Sequence, residues 1–504
     1  MPSLKRSWLI ALFAIPPIIF ALIATKGTMN FLYPEYGWVF YNQYAIAISQ
    51  GRLWIPAEAI GPEGFYVGGH VYGYYGILPA LLRLPFIPFV DLRTTPLSVI
   101  LNWTLAVSGV LALQLAALDV LRWRLAQGGA SKARWVFGLA AISLAFFSGS
   151  MLVIQKSSFY FEPFAASLLL AALFILVSVR VLLFGSCNPS RMQLALLATF
   201  AALCLFGRQT TAISLYAGVM LWMAVSLYNF WQAGERRYGR LLLRAISIAA
   251  APMTILLIGG LLYVNLNIIR FGQVGASYPI DSYGYLLMDP HDARLLNIRN
   301  EGQFHWTRIL PNLVFALIGG DELRHRFIAA LGGGTTGALG HVIRLALAWT
   351  PSLLLSGLSF AWLAARARTE RMAVVALLLL GCFAIGATIQ LAYATAQYRY
   401  HVDLWPPFAL LVVLSAAAAP GDSLKSGSRK LLAMVGGGAM LLSAAYVASW
   451  AGRVPGGGNT LNEPLPQVLI DHATAPGSRD PYLPGGTPLP RAGSAPAAKL
   501  ADQP

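Results

Sequence analysis

Apolar runs of about 17 to 25 residues recur along most of this chain, each long enough to cross a hydrocarbon core of about 30 Å. That pattern predicts an all-α polytopic membrane protein. Of the 504 residues, 57% are hydrophobic and only 11% charged, whereas a soluble domain carries roughly 25% charged residues. The runs fall at roughly 7–25, 97–119, 135–154, 160–184, 192–206, 210–230, 245–267, 346–364, 372–396, 404–420 and 431–450, about eleven spans in all. Lys5-Arg6 ahead of Trp8 to Ala24 reads as a retained first helix rather than a cleavable signal peptide.

Basic residues set the orientation. Arg122, Arg124, Lys132 and Arg134 share one connection, and Arg236, Arg237, Arg240 and Arg244 share another. Under the positive-inside rule these connections are cytoplasmic, with the N-terminus inside and the C-terminus outside. The net charge of +16 is thereby accounted for by topology, and no continuous basic patch points to nucleic acid. Cys187, Cys204 and Cys382 form no metal or disulfide pattern.

Two external regions are too long to be turns, roughly 26–96 and 268–345. Short apolar pieces within them, at 42–50, 309–318 and 327–331, are expected to be interfacial or re-entrant helices, being too short to span. Residues 1–452 are expected to form one transmembrane domain. Residues 453–504 form a tail rich in Pro, Gly and Ala that is expected to be mostly disordered. No inverted pair of broken helices favours a secondary transporter.

The external segment Gly61-Pro62-Glu63-Gly64-Phe65-Tyr66-Val67-Gly68-Gly69-His70-Val71-Tyr72-Gly73-Tyr74-Tyr75-Gly76 crowds tyrosines, glycines and one carboxylate together. Such a loop suits a sugar held against aromatic faces, with Tyr66, Tyr72, Tyr74 and Tyr75 as candidates. Glu35 and Glu63 offer a general base or a metal ligand, or simply solvate the loop. Glu162 opens the fourth span, where a carboxylate serves chemistry or compensates the helix dipole. Arg208 opens the sixth span and either snorkels to the interface or clamps a phosphate. In Arg399-Tyr400-His401-Val402-Asp403, the Arg399 and Asp403 spacing allows an ion pair on a helix, or leaves Arg399 and Tyr400 for a lipid phosphate. Asp289-Pro290-His291-Asp292 reads as a loop, and Gly332–Gly337 lacks the Lys of a phosphate loop.

These landmarks resemble the glycosyltransferase C superfamily of integral membrane enzymes. The resemblance rests on Phe40-Tyr41-Asn42, Ala45 and Gly51-Arg52, then Gly61, Glu63 and Phe65, and on Gly69, Tyr72, Tyr74, Gly76, Pro79, Ala80, Leu81, Arg83 and Pro85. Glu162, Arg208, the stretch from Tyr263 to Gly272, and Arg399-Tyr400 with Asp403 and Pro406 extend it. It implies a transferase that takes a sugar from a polyprenyl-phosphate donor and passes it to a glycan or glycolipid acceptor, with inversion. It also implies a bacterial inner membrane with the active site on the external face, and a divalent cation such as Mg²⁺ as a potential cofactor. One departure stands out: the superfamily's carboxylate near the start of the first loop falls at Asn42, which cannot act as a base. The resemblance then leaves Glu35 or Glu63 for that role. The competing expectation is a polysaccharide polymerase or ligase, or a lipid-linked sugar flippase without conventional transferase chemistry.

Overall fold

A computed structural model describes residues 6–128, 131–155, 157–232, 238–272, 279–318, 348–394, 398–419, 437–438, 441 and 466–473. Its frame is helical. In chain order the larger elements are α1 (Arg6–Ala24), α2 (Val39–Ser49), β1 (Gly64–Val67), β2 (His70–Gly73), α3 (Leu78–Leu81) and α4 (Ser98–Ala126). Next come α5 (Ser131–Phe146), α6 (Gly149–Gln155), α7 (Glu162–Phe184), α8 (Arg191–Leu205), α9 (Gln209–Gln232) and α10 (Tyr238–Phe271). The remainder are α11 (Gly284–Met288), α12 (Ala293–Glu301), α13 (Ile309–Ile318), α14 (Thr350–Arg366), α15 (Arg371–Leu391), α16 (His401–Leu414) and α17 (Gln467–Ala473).

Six helical stretches among the described residues are long and apolar enough to cross a membrane: Ser98–Ala126, Ala133–Gln155, Glu162–Phe184, Gln209–Gln232, Leu242–Phe271 and Arg371–Leu391. The run expected at 431–450 lies almost wholly outside the described residues, as does the piece at 327–331. The pieces expected at 42–50 and 309–318 are α2 and α13.

The bundle forms because these runs have apolar residues all round, so each helix is buried wherever a neighbour meets it. α4 lies along α7, α9 along α15, and α8 packs between α9 and α10. Small residues bring the axes close. A Cβ on Gly386 of α15 would stand 2.1 Å from the Thr210 carbonyl oxygen, and the Gly386 N–H donates to Ser214 Oγ at 2.9 Å. By contrast α10 presents Leu257, Ile258, Leu261, Leu262, Ile268 and Ile269 outward.

The Tyr/Gly segment corrects the expectation of an all-α chain. Its residues pair as an antiparallel β-hairpin, with Val67 opposite His70 and Phe65 opposite Tyr72. The two loop residues, Gly68 and Gly69, both have positive φ (59° and 78°). A tight two-residue hairpin turn demands this, and glycine adopts it without steric cost. The hairpin, α2 and the chain up to Leu97 enclose a second apolar core, built on Phe40, Tyr44, Ile60 and Tyr75 and joined by Phe159 and Leu266 from the bundle side. From the tail, α17 docks its buried Leu469 into the same core; the rest of 453–504 lies outside the described residues.

Candidate active site

Where the hairpin layer meets one end of the bundle, a cavity of about 90 Å³ opens. Tyr74, Tyr75 and Gly76 from the exit of β2 form one side, with Tyr160 and Phe164 at the start of α7. Arg208 and Gln209 between α8 and α9, Tyr263 and Arg270 on α10, and Gln390, Tyr393, Arg399 and Tyr400 around the α15–α16 junction complete it. Gly76 makes this juxtaposition possible. A Cβ there would lie 2.3 Å from the carbonyl oxygens of both Phe206 and Gly207, so any side chain would push the tyrosine strand off the α8–α9 turn. The Leu78 N–H fixes the seam by donating to Phe206 O at 2.9 Å.

Three arginines reach the cavity, each in a different state. Arg270 is buried and serves the wall: it donates to Gly73 O at 2.9 Å, to Asn267 Oδ1 at 2.9 Å and to Tyr44 Oη at 3.3 Å. Arg208 donates through Nη2 to Asp403 Oδ2 and to Gln390 Oε1, the latter at 3.0 Å. Its guanidinium lies 4.1 Å from the Phe164 ring centroid. Asp403 also accepts from Thr211 Oγ1 at 3.0 Å. Arg399 has no ion pair or hydrogen bond among the described residues; its guanidinium sits 4.4 Å from the Tyr160 ring centroid and 5.3 Å from that of Tyr400. The pairing of Arg399 with Asp403 that the spacing allows is therefore not formed. Arg399 belongs to a 3₁₀ turn, Tyr398–Tyr400, ahead of α16, so the two side chains do not share a helical face, and Asp403 pairs with Arg208 instead.

The carboxylates separate just as clearly. Glu63 does not line the cavity; it stands behind the tyrosines and accepts from four phenols. Tyr75, Tyr283 and Tyr74 donate to Oε2 at 2.8, 2.9 and 3.2 Å, and Tyr160 donates to Oε1 at 2.7 Å. Burial, followed by the negative charge of Glu63, raises the pKa of Tyr74, Tyr75, Tyr160 and Tyr283 well above the ordinary tyrosine value. These hydroxyls therefore remain protonated donors to the carboxylate. Glu35 is held by Lys26 Nζ at 3.0 Å and by the Tyr33 hydroxyl at 2.7 Å, away from the cavity.

Glu162 is fully buried and bound by Arg83 at 2.6 and 3.0 Å and by Ser98 Oγ at 2.7 Å. The same Arg83 donates through Nε to Asn42 Oδ1 at 2.7 Å, while Asn42 Nδ2 donates to Leu92 O and Thr95 O at 2.8 and 2.7 Å. Asn42 thus bridges α2 to the loop before α4. A carboxylate could not replace it, having no proton to give two carbonyl oxygens. Glu162, a candidate for chemistry from the sequence, and Asn42, where the resemblance expects a carboxylate, are both held by Arg83 in a sealed polar lock.

Of the sugar-facing candidates, Tyr74 and Tyr75 line the cavity. Tyr66 is buried and donates to Gly61 O at 3.2 Å, and Tyr72 packs edge-on against Phe271. Reading the sequence missed Tyr160, Tyr283, Gln390 and Tyr393. Tyr160 had a visible signal in the aromatic pair before Glu162; the other three come from distant elements and had none. No group of three or more His, Cys, Asp and Glu side chains among the described residues is placed to hold a metal. The cavity's three arginines also oppose a divalent cation, while the oxygens of Glu63 and Asp403 are already occupied by donors. The residues present do not fit the expected Mg²⁺.

No protein family matches the sequence, and comparison with curated proteins gives no match. The fold is similar to that of the Archaeoglobus fulgidus oligosaccharyltransferase in its apo form, at a TM-score of 0.50 and 14% identity over 90% of this chain and 57% of that one. Also similar are the A. fulgidus oligosaccharyltransferase AglB with an inhibitory peptide and a dolichol-phosphate (TM-score 0.49, 13% identity, 96% and 62% of the two chains), and ArnT from Cupriavidus metallidurans bound to undecaprenyl phosphate (0.43, 12%, 94% and 75%). This chain spans less than two thirds of the length of the oligosaccharyltransferases. The first match shows a shared fold.

Proposed function

We propose that this chain is a membrane glycosyltransferase that moves a sugar from a polyprenyl-phosphate donor to a cell-envelope glycan or glycolipid acceptor. One observation carries the reading: in a cavity walled by tyrosines, Arg399 has no counter-anion among the described residues and stands beside the paired Arg208. A cation held between rings without a carboxylate is a place for an anion to bind, and guanidinium groups match phosphate oxygens in charge and geometry. The outward apolar face of α10, Leu257 to Ile269, runs past Tyr263 and Leu266 where they line the cavity, which provides a path for an isoprenoid chain. The fold shared with an oligosaccharyltransferase supports the same reading.

In this mechanism the phosphate lies against Arg399 and Arg208, with Tyr400 beside it, and the sugar lies against Tyr74, Tyr75 and Tyr160. The acceptor hydroxyl attacks the anomeric carbon as the bond from that carbon to the phosphate oxygen breaks, so a single displacement inverts the centre. The acceptor proton passes to the oxygen of Tyr75 or Tyr160 as the phenol's own proton moves to Glu63, 2.8 or 2.7 Å away. Charge developing on the leaving phosphate is met by the arginines, an effect worth about 10²–10³ in rate for one well-placed donor. About eleven spans, a bacterial inner membrane and an external active site complete the proposal.

The test is transfer in lipid nanodiscs from radiolabelled polyprenyl-phosphate sugars to a membrane glycan extract. Wild type is expected to label the acceptor, and Arg399→Ala to lose about 100-fold or more. Full activity in Arg399→Ala would overturn the phosphate assignment. Donor lipid bound tightly by wild type without any transfer would favour the flippase reading instead.

A further inference from the structure

The four phenols around Glu63 have a consequence for what the cavity accepts. A phenol carries one proton and spare acceptor lone pairs, and an ionised carboxylate offers about four acceptor sites. Tyr75, Tyr283 and Tyr74 point at Glu63 Oε2 and Tyr160 at Oε1, so each phenol's only proton is directed into the Glu63 network rather than the cavity. Tyr74 adds a contact to Tyr75 Oη at 2.8 Å, inside the same network. Three of these tyrosines line the cavity, and Tyr283 does not. On this wall, only aromatic faces and hydrogen-bond-accepting oxygens remain to meet a ligand. The facing wall is the reverse: Arg208 and Arg399 present guanidinium donors.

We infer that Glu63 is a positioning residue which turns Tyr74, Tyr75 and Tyr160 into a hydrogen-bond-accepting wall, so that the site selects a ligand with an anion at one end and hydroxyl or ammonium donors at the other. This rests on the function proposed above and deepens it: the bare lipid phosphate is held by the arginines, and the sugar is recognised through its own O–H or N–H groups. Glutamine at position 63 is nearly isosteric but reverses the pattern for half of the cage. Its NH2 would donate to two of the phenols, taking up their lone pairs and turning their protons into the cavity, while its carbonyl oxygen goes on accepting from the others.

The experiment compares affinity for undecaprenyl phosphate alone with affinity for the same lipid carrying glucose, mannose, galactose, arabinose or an amino sugar, all in nanodiscs. Wild type should bind at least one sugar-bearing lipid more tightly than the bare lipid. In Glu63→Gln, bare-lipid affinity should stay within about twofold, while the gain from the sugar falls by about tenfold, the loss of one or two net hydrogen bonds. Tyr160→Phe removes a single acceptor and should reduce the same gain by about threefold. Tyr283→Phe relieves the carboxylate without touching the wall and should change the gain by less than about twofold.

An undiminished gain in Glu63→Gln or in Tyr160→Phe, with bare lipid still bound, would overturn this inference and leave the transferase reading intact. The same holds for no gain from any sugar in wild type, or for a Tyr283→Phe loss as large as that of Tyr160→Phe, which would mean the cage is merely structural. Failure of wild type to bind either lipid would remove the transferase reading and this inference together.

Discussion

Arg83 and Arg399 both lie among aromatic rings at the junction of the hairpin layer with the bundle, yet their surroundings are opposite. Arg83 is fully buried and meets Glu162 twice, Asn42, the Pro79 carbonyl and Ser98, all within 3.3 Å. Arg399 meets two ring faces and no acceptor among the described residues. Burying a guanidinium is costly unless every donor is answered. Arg83 is answered by the fold and so belongs to it, whereas Arg399 leaves its charge available to a ligand. Arg208 stands between them, tied to Asp403 but open on the cavity side.

Breaking the sealed side should have the largest effect. Arg83→Ala leaves Glu162 as an unpaired buried charge, and a loss of about 3–5 kcal/mol is expected, read by thermal unfolding in detergent. Replacing both partners, as Arg83→Met with Glu162→Leu, should recover most of that loss. A single variant as stable as wild type would erase the contrast. Arg399→Ala should do the reverse. Its unfolding should match wild type within about 1 kcal/mol, while transition-state stabilisation falls by about 2.7–4 kcal/mol, measured as labelled transfer. A variant that unfolds early would make Arg399 structural after all.

Asn42→Asp probes whether the position could be restored to chemistry. Aspartate cannot donate to Leu92 O and Thr95 O, so a destabilisation of about 1–3 kcal/mol is expected with no gain in turnover. Higher transfer in that variant would return position 42 to the active site. The smallest effect concerns the phenol cage. Because the folded-state pKa values of Tyr75 and Tyr160 are raised above the ordinary value of 10.0, the stability these groups contribute is fully present below about pH 10 and lost as pH rises through the folded values. Melting temperature followed from pH 8 to 12 should fall only above about pH 10, and less steeply in Tyr75→Phe/Tyr160→Phe. An equal fall in that variant would detach the alkaline loss from the cage.

Much of the helical frame was legible in the chain. α7, α9 and α15 lie where the runs at 160–184, 210–230 and 372–396 put them, because length and apolarity are local properties that lipid reads directly. The first-loop segment stood out by composition, and Tyr74, Tyr75, Arg208, Arg399 and Tyr400 do meet in one cavity. The hairpin within that segment was also signalled, by Gly68-Gly69 between β-prone residues, but a neighbouring aromatic crowd drew the reading towards binding rather than backbone.

What the sequence by itself determined was the solvent of this protein, the helices it can form and the residue types available for chemistry. Which carboxylate belongs to which cation was decided only by tertiary structure. Arg208 and Asp403 are 195 residues apart, Arg83 and Glu162 are 79 apart, and Glu63 and Tyr283 are 220 apart. Local spacing favours pairing Arg399 with Asp403, only four residues away. Packing overrides it because an ion pair is made by proximity in space, and the turn before α16 directs those two side chains to different neighbours.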